Sequence, residues 1–400
     1  MHDVEAFGLV IAAMAIALTV AILANHLTER FRVPAPAIFL VAAVLLADVF
    51  PGLSTMSFTT VQRTVTVALA VILFDGGMHI GMRRFRASAR PIAWIGVAGT
   101  AVTAAAVSLL AHGLFDFGWK PALLLGAALA ATDPAVVFSV LGKREIAGRT
   151  GTILEGESGA NDPVGIALMI AILSATGAGL GAWVDGLTQF VLQLAIGLAV
   201  GIIGGRGLLL FIRRVSLPGS SLYSVRVLAG ALGLYGIATV LHGSGFLAVF
   251  VAGILIGDQP APHKKDIVRF HAALASLGEI VAFSILGLTI SASTLTDRSV
   301  WLTGLVLGTL LMFVVRPALL GLLTWPIDLT GGERAFVLWA GLKGAVPILL
   351  GTFAITADAP DADRIYGVIF VVVTLSVVIQ GSSVPWAARR LGIPTTKVES

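Results

Sequence analysis

The chain has 400 residues, 57% of them hydrophobic and 12% charged, with a mean hydropathy of +0.97. A soluble domain carries about 25% charged residues, so this composition excludes one and places the chain in a bilayer. No cysteine is present, which excludes disulfides and thiolate metal sites. The net charge of +4 points to nucleic acid only until the charges are located.

The N-terminus, Met1-His-Asp-Val-Glu, is acidic and has no basic n-region, so the first apolar run is expected to be a span and not a cleaved signal. Runs of roughly 17–25 apolar residues are the unit of crossing, and about thirteen are read in order. The first is Ala6 to Ala24 and the second Pro34 to Val49. Val65 to Ile80, Pro91 to Ala111, Pro121 to Leu141 and Ile153 to Ala175 follow. Then come Leu187 to Phe211, Val225 to Leu241 and the short ninth, Phe246 to Ile256. The last four are Ala272 to Ile290, Val300 to Leu323, Ala335 to Ile355 and Ile365 to Ala387.

The basic residues test that count. Alternate loops carry Arg30 and Arg32; Arg83, Arg84, Arg86 and Arg90; Lys143, Arg144 and Arg149; Arg206, Arg213 and Arg214; Lys264, Lys265 and Arg269; Arg334; and Arg389, Arg390 and Lys397. The loops between them carry only Arg63, Lys120, Arg298 and Arg364. By the positive-inside rule the N-terminus is expected outside and the C-terminus in the cytoplasm of a multi-pass cell-membrane protein. The basic excess is therefore topological, and no nucleic-acid partner is expected. Of the 26 lysines and arginines, three remain. Arg226 at the end of span eight is expected to snorkel. Arg316 and Lys343 lie about eight to ten residues from the basic side, ~12–15 Å at 1.5 Å per residue. Asp133 and Glu157 fall at similar depth. Buried cations and anions in one layer are expected to pair.

Two spans are interrupted at charged residues. Span five contains Thr132-Asp133-Pro134, where proline removes a backbone donor and disfavours helix at Asp133. Span twelve contains Gly341-Leu-Lys343-Gly344-Ala-Val-Pro347. Interrupted spans in matching positions of two halves are a pointer to a transporter site. An odd offset of seven spans makes the halves an inverted repeat, spans one to six and eight to thirteen, joined by span seven. Half-helix ends meeting in mid-membrane carry partial charges. Asp133 can neutralise a positive N-terminal end, and Lys343 a negative C-terminal end.

Residues 155–163 read Glu-Gly-Glu-Ser-Gly-Ala-Asn-Asp-Pro. At 100° per residue Glu157, Ser158, Asn161 and Asp162 occupy an arc of about 140° on a helix, which is one face. Hard monovalent cations want such oxygens, and the carbonyl near Thr132 is a further ligand because a broken helix frees carbonyls. A bare carboxylate in this layer is costly. A proton or a cation neutralises it, so the two compete at Asp162, and competition at one alternating-access site yields exchange. Glu157 is expected chiefly to pair with Arg316.

Leu154-Glu-Gly-Glu-Ser-Gly-Ala-Asn161-Asp162-Pro resembles the Asn-Asp signature of the monovalent cation/proton antiporter-1 family. Ala131-Thr132-Asp133-Pro134-Ala-Val-Val-Phe-Ser resembles it too, as do Leu73-Phe-Asp75-Gly-Gly-Met, Arg316-Pro317 and Trp339-Ala-Gly-Leu-Lys343-Gly-Ala. The resemblance implies an all-α polytopic fold of the NhaA/NhaP-like type, with an inverted repeat and two broken crossing helices. It implies that Asp162 binds cation and proton, with Glu157, Ser158, Asn161 and Thr132 around it. Asp133 and Arg316 match the family's charge-compensating positions. Lys343 stands where the family usually has arginine, which weakens bidentate pairing there. The resemblance further implies a homodimer, no cofactor, and electroneutral exchange, since Asn161 stands where electrogenic relatives have a second aspartate. Pro163 and the preceding Glu-Ser-Gly look more like the potassium/proton branch than the sodium branch. The expected organisation is one transmembrane antiporter domain over 1–400: repeat one about 6–178, a connector about 187–211, and repeat two about 222–388. The chain ends at Ser400, soon after span thirteen, so no cytoplasmic regulatory domain is expected.

Two rival readings stand beside exchange. Gly156-Glu-Ser158-Gly159 matches the nucleophile motif of rhomboid-like intramembrane proteases, but such an enzyme needs a base on another span, and His242 is the one candidate. A cation channel is the other, yet nothing resembles a filter loop. Asp75 and Glu279 are buried acids with roles left open, Glu279 divided between packing, dimer contact and transport. His26, His79, His112, His263 and His271 lie near loops and are expected to be solvated.

Overall fold

The structure is a computed structural model that describes residues 19, 34–49, 56–141, 144–146, 148–175, 180–290 and 297–397. The first expected span (apart from residue 19) and His26 lie outside these residues. Every later span is a helix or a pair of half-helices. They run α1 (Ala35–Val49), α2 (Phe58–Ala93), α3 (Thr100–Phe115), α4 (Trp119–Ala130), α5 (Ala135–Leu141) and α6 (Gly148–Ser174). Next come α7 (Leu180–Arg214), α8 (Ser220–Val240), α9 (Gly245–Gly257), α10 (Lys264–Leu288), α11 (Arg298–Leu310) and α12 (Gly321–Thr324). The series closes with α13 (Gly331–Trp339), α14 (Ala345–Thr356), α15 (Ala362–Ser376) and α16 (Ser382–Arg390). Wider π-type turns at Trp94–Gly99, Leu311–Leu320 and Val377–Gly381 keep three of the joins helical. Among the described residues six helical runs are long and apolar enough to cross a membrane, and four shorter apolar helices of 10–17 residues accompany them. The short ninth span is α9, a full helix.

The helix preference follows from the solvent. Hydrocarbon offers no partner for a backbone N–H or C=O, so each must be satisfied within the chain. The ends are closed accordingly. Ser57 accepts from the Thr60 N–H, Ser244 from Leu247 and Asp297 from Ser299.

Three expectations fail. The arginine-rich segment between spans three and four is not a loop but helix. Gly81, at φ +64°, breaks the helix there, and the side chain of Asp258 accepts from the Arg83 N–H at 2.6 Å. An amphipathic run of arginines reads as a loop in sequence, yet capped from outside it stays helical. Arg226 does not snorkel. It is buried, donates to the carbonyls of Val215 (2.7 Å) and Ile212 (3.2 Å), and stacks on Phe211 and Tyr223. The free carbonyls at the end of α7 and two π faces hold it in place. His271 is not solvated but fully buried, in contact with the rings of Phe74 and Phe270. A further departure from all-helix is a two-stranded antiparallel pair, β1 (Arg144–Ile146) with β2 (Thr395–Lys397). It ties the turn after α5 to the last described residues.

The contacts sort the cations by end. At one end Arg213 donates to Pro260, Lys264 to Ile256 and Arg334 to Ile327. At the other Lys120 donates to Leu173 and Arg364 to Phe115. Helices α2 and α9 form a close seam, where a Cβ on Gly77 would strike the Phe250 carbonyl and one on Gly253 the Phe74 carbonyl.

Candidate cation site

Spans five and twelve break where the glycines and prolines stand, and the two breaks cross. Between α4 and α5 the backbone at Ala131 is extended (φ −62°, ψ 147°). Between α13 and α14 residues 340–344 leave the helix. The Asp133 N–H donates to the Leu342 carbonyl at 2.8 Å, one direct link across the crossing.

Three of the four half-helix ends meet a charge of the fitting sign. Lys343 Nζ donates to the carbonyls of Ala131 (3.0 Å) and Ala130 (3.4 Å) at the C-terminal end of α4. Arg316, carried on the π-type turn before Pro317, donates from Nε to Leu338 (2.8 Å) and from Nη2 to Val337 (3.1 Å) at the C-terminal end of α13. The Asp133 carboxylate lies against Gly344 at the N-terminal end of α14, close enough that a Cβ there would overlap it. Cations at C-termini and an anion at an N-terminus match the helix dipoles.

Arg316 also pairs with Glu157, Nη2 to Oε1 at 2.8 Å, with both side chains buried. A Cβ on Gly341 would overlap the guanidinium, so this glycine makes room for the arginine.

Ser158, Asn161 and Asp162 project from α6 toward the first break. The Ser158 hydroxyl donates to the Thr132 carbonyl at 2.6 Å. Asn161 grips the same residue twice: Oδ1 accepts from the Thr132 N–H (3.2 Å) and Nδ2 donates to the Thr132 hydroxyl (2.6 Å). Ser158 and Asn161 thus clamp the unwound backbone, and both Asn161 polar atoms are engaged in doing so. Asp162 is 5% exposed, and its Oδ1 has no hydrogen-bond partner among the described residues. One face of α6 therefore carries three different duties: Glu157 on Arg316, Ser158 and Asn161 on Thr132, and Asp162 with an acceptor to spare.

Asp75 and Glu279 sit outside this crossing set. Asp75 is buried on α2; its Oδ2 is 3.3 Å from His79 Nδ1, and its Oδ1 has no partner among the described residues. Glu279 on α10 likewise has an unpartnered buried Oε1.

Sequence reasoning missed Ser376 and Gln380. Ser376 Oγ accepts from the Lys343 N–H at 3.0 Å and donates to Gln380 Oε1 at 2.6 Å. Gln380 Nε2 in turn donates to the Trp339 carbonyl at 2.9 Å. Together they satisfy the second break from span thirteen. The available signal was a buried glutamine four residues after a serine inside an apolar span. Ahead of the apolar run of span twelve, Thr330 and Glu333 close the start of α13 as a capping box. Hydrogen bonds from the Thr330 N–H and hydroxyl hold the Glu333 carboxyl below its ordinary value.

A helical membrane bundle with two broken spans crossing among buried charges is the architecture of a secondary transporter. The chain belongs to the transmembrane sodium/hydrogen exchanger family, whose sequence profile matches residues 14–390. It is 36% identical over 375 residues to the K(+)/H(+) antiporter NhaP2 of Shewanella oneidensis, covering 92% of this chain and 65% of that one. It is 34% identical over 398 residues to the K(+)/H(+) antiporter NhaP of Alkalimonas amylolytica, covering 98% of this chain and 68% of that one. The chain thus spans about two thirds of the length of these relatives. The solved structure of the sodium proton antiporter MjNhaP1 from Methanocaldococcus jannaschii superposes with a TM-score of 0.79 at 21% identity, over 93% of this chain and 98% of that chain. The fold is therefore of the NhaP type. Membership in an exchanger family sets aside both the protease and the channel readings.

Proposed function

We propose that this protein exchanges K+ or Na+ for H+ across the cell membrane, by alternating access at Asp162. The observation that carries it is one buried carboxylate, with a spare oxygen, beside two clamped backbone breaks. A bare charge there is costly, so a proton or a cation has to neutralise it, and each excludes the other. Thr132, Ser158 and Asn161 hold the unwound backbone that faces the ion. Glu157 and Arg316 pair, while Asp133 and Lys343 compensate the half-helix ends. The names of the two-thirds-length relatives favour potassium; the solved neighbour is a sodium exchanger.

The same reading includes a homodimer, an outside N-terminus, and the two repeats at about 6–178 and 222–388 around a connector at about 187–211. One end of the bundle carries Arg86, Arg90, Arg149, Arg213, Lys264 and Arg334 and the other Lys120 and Arg364, which supports the orientation.

The test is reconstitution in liposomes with an internal pH dye, adding K+, Na+ and Li+ salts in turn. Cation-driven dye response in the wild type and none in folded Asp162→Asn is expected. Undiminished exchange by that variant would remove Asp162 from the mechanism.

A further inference from the structure

At the arginine-rich end of the bundle a cavity of about 420 Å³ opens between the last turns of α2, the start of α6 and residues 326–328. Arg86, Arg90 and Arg149 line it together with Trp94 and Asp328. Arg86 and Arg90 are one helical turn apart and share a face, where like charges repel. Among the described residues neither guanidinium has a carboxylate or a hydrogen-bond acceptor. Arg149 is aimed from elsewhere: its Nη1 donates to the Asp328 carbonyl at 3.1 Å. The Asp328 carboxylate is 3.8 Å from that guanidinium and fully exposed, and it is the sole acid among the lining residues.

Depth identifies the neighbour. The Trp94 indole N–H donates to the Leu323 carbonyl at 3.1 Å while its ring stays exposed, and Trp325, immediately before Pro326, is 76% exposed. Tryptophans at the bundle surface mark the headgroup layer. Guanidinium groups fit phosphate oxygens, and basic pockets between spans take anionic headgroups. Orientation by the positive-inside rule needs basic residues on this side. It does not need arginines distant in sequence to converge on one cavity.

We propose that this cavity binds the phosphate of an anionic membrane phospholipid through Arg86, Arg90 and Arg149. The ligand chemistry is a phosphate anion, and a soluble phosphate is the rival source. The test uses the full chain, delipidated in neutral detergent, with thermal unfolding followed by tryptophan fluorescence. Phosphatidylglycerol, phosphatidylcholine of the same acyl chains and inorganic phosphate are titrated separately. Phosphatidylglycerol alone is expected to raise the unfolding temperature. Arg86→Gln/Arg90→Gln should weaken that response by roughly tenfold or more in lipid concentration. Arg83→Gln/Arg84→Gln, on the same helix outside the cavity, should leave it unchanged. If the first double variant does not fold, Arg149→Gln takes its place. An equal response to phosphatidylcholine, a full response to inorganic phosphate, or an unaltered response in the cavity variants overturns the proposal.

Discussion

Lys343 reaches from one broken span to the other, its ammonium donating to the Ala131 carbonyl at 3.0 Å. It closes the open end of α4 and sits within the field of Glu157 and Asp162. The lysine therefore ties a structural duty to the charge balance of the site. Replacing it by methionine keeps the stem and removes the charge. Removing one partner from a buried charged set costs about 3–5 kcal/mol, so Lys343→Met should unfold well below the wild type in a detergent melt. An unchanged melting temperature would show that the carbonyls find other donors.

Glu157 and Arg316 should behave as a coupled pair. Each single alanine variant is expected to lose about 3–5 kcal/mol. The double variant should lose less than the sum, because the second deletion removes a charge already stranded. Arg316 also serves Leu338 and Val337, so Arg316→Ala should be the worse of the two singles. Additive losses in a double-mutant cycle would count against the pairing.

Two glycines should separate by packing alone. Gly341→Ala drives a methyl group into the Arg316 guanidinium, whereas a Cβ on Gly76 meets nothing within 4 Å. Overpacking costs about 1–3 kcal/mol. In a helix, alanine is favoured over glycine by about 1 kcal/mol. Gly341→Ala should lower the yield of folded protein and its melting temperature, and Gly76→Ala should equal or exceed the wild type.

Exchange should move no net charge. Glu157 stays paired with Arg316 and Asp133 stays against the start of α14, so within the crossing set Asp162 is the group proposed to alternate between proton and cation. One cation then replaces one proton. A solid-supported membrane should record no sustained transport current on cation addition, and liposome rates should not follow an imposed potential. A steady current would require a second proton carrier, with Glu157 or Lys343 the first to examine.

The capping box at Thr330 and Glu333 sets a pH dependence outside the membrane. The Glu333 carboxyl is held below its ordinary 4.5 by the Thr330 N–H and hydroxyl. A depressed folded value means the stabilisation is complete above the unfolded value and disappears as pH falls through the folded one. Glu333→Gln should therefore be less stable than the wild type near neutral pH, and the gap should close as pH falls below the ordinary 4.5 and through the lowered folded value. A gap independent of pH would assign the effect to shape and not to charge.

Much of the architecture is legible in the residues because hydrocarbon permits few alternatives. Apolar run length, alternating basic loops and Gly/Pro at charged positions mark spans two to thirteen and both breaks. The partners are harder. A helical wheel puts Ser158, Asn161 and Asp162 on one face, but it does not say that the first two grip Thr132 while the third retains a free oxygen. That depends on where α4 ends in space. Arg226 and His271 are misread, and Ser376 and Gln380 unread, for the same reason, since each answers a helix end or a ring contributed by another segment. The arginines after Gly81 look like a loop because their cap, Asp258, comes from the far side of the chain.

These long-range caps bear on how the molecule is assembled during synthesis. Lys343 closes α4, Asp258 closes the helix that resumes after Gly81, and Asp133 faces the start of α14. A nascent chain that has emerged only through span six holds helix ends whose partners do not yet exist. Its first half has to wait in the bilayer incompletely paired, exposed to proteolysis and chaperones, until the ribosome delivers the second. Separately expressed halves should therefore acquire protease resistance together or not at all.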